Sequence, residues 1–430
     1  MPVLLNGAGA LVAISALPML GGVIISEGVL ATWLRRTAIV LAVALPAVFM
    51  LLTALIYLPR SDTAFFDFSV NYNAAQALYG HGISPYTIPG AYSFPFPTFY
   101  LYWLASIFGG ASETSAWVVW WLANAVLWLL CIAVLWRSIT PPTSPRMRDA
   151  LIYVAVAIPA VTTLWQGQTA LFILIGLVVI HWAVQESRSA RFSWWTTVLA
   201  GAGLAWATLI KPQLALVGAG IAVWALLQAR NGQREKAKQS FMILAVSVIV
   251  AGLLIGATLI LTGGVTLDTY RQFLSQALPQ VAQAGDPLAV NGSPAFAAAA
   301  FVLQMGGAAT TSDIAADGIT LLVLVGAVIW TWRRADRPLT EIAAGWGVWA
   351  MIAPRVTWTW YAAWCLPFFL LAVQESLRAR NSKMRLILFI VTLGLLNLQV
   401  EQALVAFGTI VLLIALLWTS FHTRNDVSYG

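Results

Sequence analysis

Long apolar runs separated by short polar breaks make up most of this chain, and the breaks hold nearly all of its charge. The runs are apolar on every face, as helices surrounded by lipid or by other helices must be. No ten-residue segments of alternating polarity suggest a barrel strand. The pattern predicts helical spans near 37–58, 114–136, 149–163, 168–186, 194–210, 212–229, 240–262, 318–332, 340–353, 357–373, 384–399 and 402–420. The expected fold is therefore all-α and polytopic, with about twelve transmembrane helices. It has thirteen if the first 31 residues also cross; these are apolar but interrupted by Gly21, Gly22 and Glu27, and could instead form an interfacial helix. No basic region precedes them as it would in a cleavable signal.

Charge orients the array. Of the 23 Lys and Arg residues, all but Arg60, Lys211, Arg271 and Arg355 fall in alternate loops, among them Arg35–Arg36, Arg146–Arg148, Arg230–Lys238, Arg333–Arg337 and Arg378–Arg385. The positive-inside rule places those loops in the cytoplasm, with both termini, in the plasma membrane. The net charge of +7 is then a record of topology rather than a nucleic-acid footprint. Phe96 to Gly110 is also apolar, but a crossing there would turn every later basic loop outward. It is also shorter than the roughly 20 residues a spanning helix needs. It is expected to lie in the outer interface.

Composition agrees: 60% of residues are hydrophobic, 9% are charged, and the mean hydropathy is +0.83. Soluble domains carry about a quarter charged residues. The two cysteines, Cys131 and Cys365, sit inside apolar runs without a ligand spacing and read as small packing residues. No Asp-x-Asp pair or His/carboxylate ligand set points to a metal, and no cofactor motif is present.

Two outer segments stand out by length, 59–113 and 263–317, within what reads as a single transmembrane domain over 1–430. Long connections of this kind usually carry function. The first contains FFDFSVNYNAAQALYGHGISPYT, residues Phe65 to Thr87, unusually polar for this chain. Phe68, Tyr72, Ala75 and Tyr79 recur at helical spacing, and Gly80-His81-Gly82 ends the helix. Asp67 at its start could be an N-cap, bonded to backbone amides, or a carboxylate held at the membrane surface as a general base.

This stretch resembles the signature of glycosyltransferase family 87, in Asp67, Val70, Asn71-Tyr72, Ala74-Ala75, Ala77-Leu78, Gly80 and Tyr86. Further elements follow in the family's order: Phe94-Pro95-Phe96-Pro97-Thr98, Gly167-Gln168, Lys211-Pro212, Asn291-Gly292-Ser293 and APRVTWTWY at 353–361. The last has Trp360 and Tyr361 where histidine is common in the family. The resemblance covers about residues 60 to 370. It implies the C-type glycosyltransferase architecture with short outer interfacial helices. It also implies transfer of mannose or arabinofuranose from a polyprenyl-phosphate donor to a glycolipid or cell-envelope glycan. In that reading Asp67 is the base of an inverting displacement.

Each other candidate keeps a plainer alternative. Lys211 and Arg355 would hold the donor phosphate, or would snorkel and anchor at the interface. Arg271 is a third phosphate candidate, or pairs with Asp268 at i,i+3. Tyr72, His81, Gln168, Asn291, Trp358, Trp360 and Tyr361 could contact sugar or acceptor, or serve packing and loop closure. His181, inside a span, reads as a packing residue. A transporter or flippase for lipid-linked sugars is the rival class, though the span interiors are almost free of the ionisable residues such proteins use. A non-catalytic assembly subunit is the third.

Overall fold

The computed structural model describes residues 2–25, 27–57, 66–91, 98–110, 112–138, 144–157, 167–189, 194–262, 266–277, 293–354, 359–378, 382–398 and 403–420. At Asp67 and Trp360 the backbone is described and the side chain is not. Among these residues every regular element is helical.

The N-terminal helices are α1 (Pro2–Ile25), α2 (Val29–Tyr57), α3 (Phe66–Ala75), α4 (Tyr100–Phe108), α5 (Glu113–Ser138) and α6 (Pro145–Ala157). Then come α7 (Ala170–Ser189), α8 (Trp194–Ile210), α9 (Ala215–Arg230), α10 (Arg234–Leu261) and α11 (Thr266–Gln272). The chain finishes with α12 (Pro294–Gln304), α13 (Ala309–Arg333), α14 (Leu339–Ile352), α15 (Leu366–Arg378), α16 (Ser382–Leu398) and α17 (Ala403–Thr419).

Lipid tails are as apolar as leucine, so helices in a bilayer associate through close packing rather than through exclusion of water. The contact of α7 with α8 shows the consequence. A Cβ added at Gly176 would lie 2.5 Å from the Gly203 carbonyl oxygen, and one at Gly203 would lie 2.6 Å from that of Gly176. Only hydrogen lets these backbones meet. The core centres on α7, α14 and the 3₁₀ stretch Thr359–Cys365, where Trp346, Trp349, Trp364 and Phe368 are fully enclosed. At the periphery α10 and α13 expose apolar side chains such as Val248, Leu253, Leu321 and Leu322.

Five helices among the described residues are long and apolar enough to cross a bilayer: Val29–Val48, Glu113–Arg137, Pro212–Arg230, Arg234–Leu261 and Ala309–Arg333. The other expected spans correspond to shorter helices, such as Trp194–Ile210 and Leu339–Ile352, or extend into residues outside the description, as 149–163 does. Hydropathy merges what the backbone divides. The run expected at 357–373 is a 3₁₀ stretch followed by the 13-residue α15. Conversely, α13 begins at Ala309, inside the expected outer segment 263–317. Its first turns are rich in Thr, Ser and Asp, weak helix formers, and packing against α12, with Ser312 Oγ donating to the Ala299 carbonyl at 3.1 Å, overrides that preference. Of the first 31 residues, Pro2–Ile25 form α1, packed along α2 and α16, and Val29 already begins α2. The Phe96–Gly110 run contains α4, nine residues and about 14 Å long, too short to cross.

Candidate active site

The Asp67 helix is held by aromatic packing. Phe68 is fully buried, its ring 5.8 Å from Tyr72, 5.5 Å from Tyr102 on α4 and 6.0 Å from Trp120 on α5. Tyr102 and Trp120 are themselves stacked at 4.0 Å. Phe68, Tyr72 and Ala75 are buried and Tyr79 half-buried, as their spacing predicts. A π-helical turn, Gln76–Gly80, extends the helix. It ends at Gly82, where φ is +65° and the Gly82 and Ile83 amides donate to the Leu78 and Ala77 carbonyls. Asp67 is the second residue of the helix, so its backbone lies within the first turn rather than before it.

Gly167 joins this helix from a hundred residues away in sequence. Its φ of +71° is one that a side chain disfavours, and an added Cβ would sit 2.7 Å from the Phe68 Cβ. The Tyr102 hydroxyl donates to the Gly167 carbonyl at 2.5 Å. The glycine of the Gly167-Gln168 element is therefore needed for close approach to the residue next to Asp67. Gln168 follows it, half-buried, at the entrance to α7.

Two further joins carry the other elements. Thr98 donates through Oγ1 to the Ile210 carbonyl at 3.4 Å, next to Lys211. Lys211 takes an extended backbone conformation that leads into the Pro212 corner, and Gln213 Nε2 reaches the Ala350 carbonyl at 3.3 Å. The Lys211 ammonium lies 5.3 Å from the centre of the Tyr361 ring, which stacks on Trp364 at 4.6 Å. This is cation–π geometry. Ser293 donates to the Pro354 carbonyl at 2.5 Å and accepts the Phe296 amide at 3.4 Å, capping α12. The short helix α4 is the strut between these groups. Tyr102 on it fixes Gly167 and Phe68, and Thr98, about one turn before, fixes the Lys211 corner.

The two long segments also touch. Tyr86 packs 6.1 Å from Phe273, and the Ser84 hydroxyl bonds the Gln272 side-chain oxygen. Arg271 nearby pairs with Asp268 at 3.5 Å, both side chains being 83% exposed, which is the i,i+3 pairing the sequence allows. His81 is exposed at the helix end. Asn291, Arg355 and Trp358 lie outside the described residues.

One group was missed by pattern reading. Glu113, the first residue of α5, accepts from the Ser69 hydroxyl, so a second carboxylate stands against the Asp67 helix. In the sequence it reads as an ordinary charge at the end of a span; its place in the outer half of the 59–113 segment was the available signal. Burial, and secondarily the Glu113 charge, raise the Tyr72 pKa above the usual phenol value, so the hydroxyl stays protonated as a donor. Among the described residues no three His, Cys, Asp or Glu side chains gather as a metal site.

No curated protein and no solved structure matches the chain. Residues 94–354 match glycosyltransferase family 87. The matched range takes in the Thr98, Gly167, Lys211 and Ser293–Pro354 elements and begins after Asp67. With more than half its length matched, and an all-helical bundle rich in apolar helices, the chain belongs to glycosyltransferase family 87, a family of membrane glycosyltransferases.

Proposed function

We propose that this glycosyltransferase moves mannose, or as second choice arabinofuranose, from a polyprenyl-phosphate donor to a lipid-linked or cell-envelope glycan on the outer face of the plasma membrane. The chemistry favours such a donor. A site outside the cytoplasm has no nucleotide sugar at hand, whereas a lipid-phosphate sugar arrives in the membrane plane. In the proposed inverting step the acceptor hydroxyl gives its proton to the Asp67 carboxylate as its oxygen bonds to the anomeric carbon. The bond from that carbon to phosphate breaks, and its electron pair leaves on the polyprenyl phosphate. A phosphate with a second pKa near 6 departs as an anion without an acid catalyst. What it needs is positive charge, the role proposed for Lys211 and Arg355. Tyr72, Gln168, Asn291, Trp358, Trp360 and Tyr361 are proposed sugar and acceptor contacts. His81 would act only at the rim, and the pairing of Arg271 with Asp268 leaves it the weakest of the phosphate candidates.

The observation supporting this reading is that α4 ties the Asp67 helix and the Lys211 corner together, although they stand far apart in sequence. The test is sugar transfer by purified protein, wild type beside Asp67→Asn, from a panel of polyprenyl-phosphate sugars to lipid extract. Loss of a general base is expected to lower turnover by about 10²- to 10⁴-fold with donor binding retained. Equal transfer by the variant would remove Asp67 from the mechanism. Absence of transfer by both, with an acceptor verified, would favour the transporter reading.

A further inference from the structure

The end of the bundle that carries most of the arginines holds a second feature. Helix α5 starts at Glu113, beside the candidate site, and its 26 residues extend about 39 Å. It ends at Ser138, and α6 begins nearby in sequence at Pro145, so α6 starts at the opposite end of the bundle. There two guanidinium groups, of Arg35 and Arg148, meet one carboxylate, and a third, of Arg146, lies close by. Arg35, 3% exposed, donates through Nε to Asp149 at 3.3 Å, through Nη1 to the Gly22 carbonyl at 3.0 Å and through Nη2 to Thr32 Oγ1 at 3.2 Å. Arg148 reaches the other Asp149 oxygen at 3.8 Å. Arg146 has no such partner: its Nε and Nη2 are closed off, and among the described residues they meet no acceptor.

An enclosed guanidinium edge without acceptors forfeits hydration and gains nothing in return. Arg146 is nevertheless only half-buried as a residue, so part of its side chain reaches the surface beside this edge. Its neighbours define the balance of charge. Burial lowers its pKa first, the Arg35 charge lowers it further, and Glu27 raises it. Glu27 is exposed and acts without forming an ion pair with it. Beside the cluster, the first turns of α2 leave Val29, Leu30 and Trp33 exposed, between 58% and 89%. These are apolar and aromatic side chains of the kind found at headgroup depth.

We propose that the Arg35–Arg146–Arg148 cluster binds a phosphate group at this end of the protein, completing a charge cluster that the chain alone leaves positive. The planar fork of arginine suits phosphate oxygens, and Asp149 is already committed to Arg35 and Arg148. The exposed apolar apron favours a phosphate borne by an anionic lipid over one free in solution.

The test uses the full chain in detergent with fluorescent phosphatidylglycerol and phosphatidylcholine as probes and inorganic phosphate as competitor. Wild type is expected to bind phosphatidylglycerol about tenfold tighter than phosphatidylcholine. Arg146→Gln should lose roughly that tenfold preference, which corresponds to one good charge-assisted contact. Arg146→Lys, which keeps the charge without the fork, should fall between, and it decides the matter if the Gln variant does not fold. Displacement of the probe by inorganic phosphate, lost in the same variants, supports the site and assigns it to the free anion; resistance to phosphate assigns it to the lipid. Equal binding of both lipids by wild type, or unchanged preference in a folded Arg146 variant, overturns the proposal.

Discussion

The two ends of this bundle handle their charges in opposite ways. At the arginine-rich end, Arg146 aside, charge is tied into the architecture. Arg334, 3% exposed, closes the last helix: its Nη2 donates to the Trp418 and Ser420 carbonyls at 2.6 and 2.8 Å, and its Nε to Ser420 at 3.0 Å. These are terminal carbonyls of α17 that no further helical turn can satisfy. Burial brings the Arg334 pKa down to about 10, still well above neutrality, so it caps as a cation. Arg337 likewise bridges Glu341 and Glu375 at 3.7 and 3.1 Å. At the Asp67 end, stacked aromatics and close-packed glycines such as Gly167 and Gly109 hold the helices. Among the described residues, Lys211 there rests against a ring and makes no ion pair with a carboxylate. A fold held together without its cations can leave them for substrate.

The sharpest way to break that contrast is a pair of substitutions with opposite readouts. Lys211→Gln is expected to cut transfer by roughly 10²-fold, as loss of one donor to a developing anion does, with unfolding in detergent unchanged. Arg334→Gln should do the reverse. Leaving buried carbonyls without a donor costs about 1–3 kcal/mol, while turnover per folded molecule stays at the wild-type value. If Lys211→Gln instead lowers stability and leaves transfer intact, Lys211 is an anchor, and the two ends are alike.

Next in size is Gly167→Ala. Its φ of +71° and the 2.7 Å approach to Phe68 mean that even a methyl group must push α3 away. Strain of this kind is worth about 1–3 kcal/mol. Because the displaced helix carries Asp67, the expected result is reduced turnover along with reduced stability. Reduced stability with wild-type turnover would show that α3 moves without disturbing the chemistry.

Much of this was legible in the sequence, and the gaps have physical causes. Helix content and the buried face of the Asp67 helix followed from period and polarity, because a stripe of Phe68, Tyr72 and Ala75 has to be covered. The Arg271–Asp268 pair followed from i,i+3 spacing. Helix bounds did not follow from hydropathy, since an apolar run reads the same whether the backbone is α-helical or, as at Thr359–Cys365, 3₁₀. The strut role of α4 was hidden for a related reason. Phe96 to Gly110 reads as one apolar patch suited to an interface, and nothing local says that Tyr102 will reach Gly167 or Thr98 will reach Ile210. Glu113 was missed because its partner Ser69 lies 44 positions away, and a lone acid at a span end has a simpler explanation.

The smallest predicted effect concerns Tyr72 and tests whether Glu113 is electrically part of the site. A phenol whose folded pKa is raised holds its proton more tightly in the folded state than in the unfolded one. Its contribution to stability is therefore complete below the unfolded value near 10 and is lost as pH rises through the folded value. Ultraviolet titration of wild type against Tyr72→Phe should show one phenol that ionises late. In Glu113→Gln that phenol should titrate earlier, though still later than a free tyrosine, because burial is the larger cause and Glu113 the smaller. A titration unmoved by Glu113→Gln would mean that the carboxylate only ties α3 to α5 through Ser69. The Asp67 end would then contain, like the other, a charge whose work is architectural.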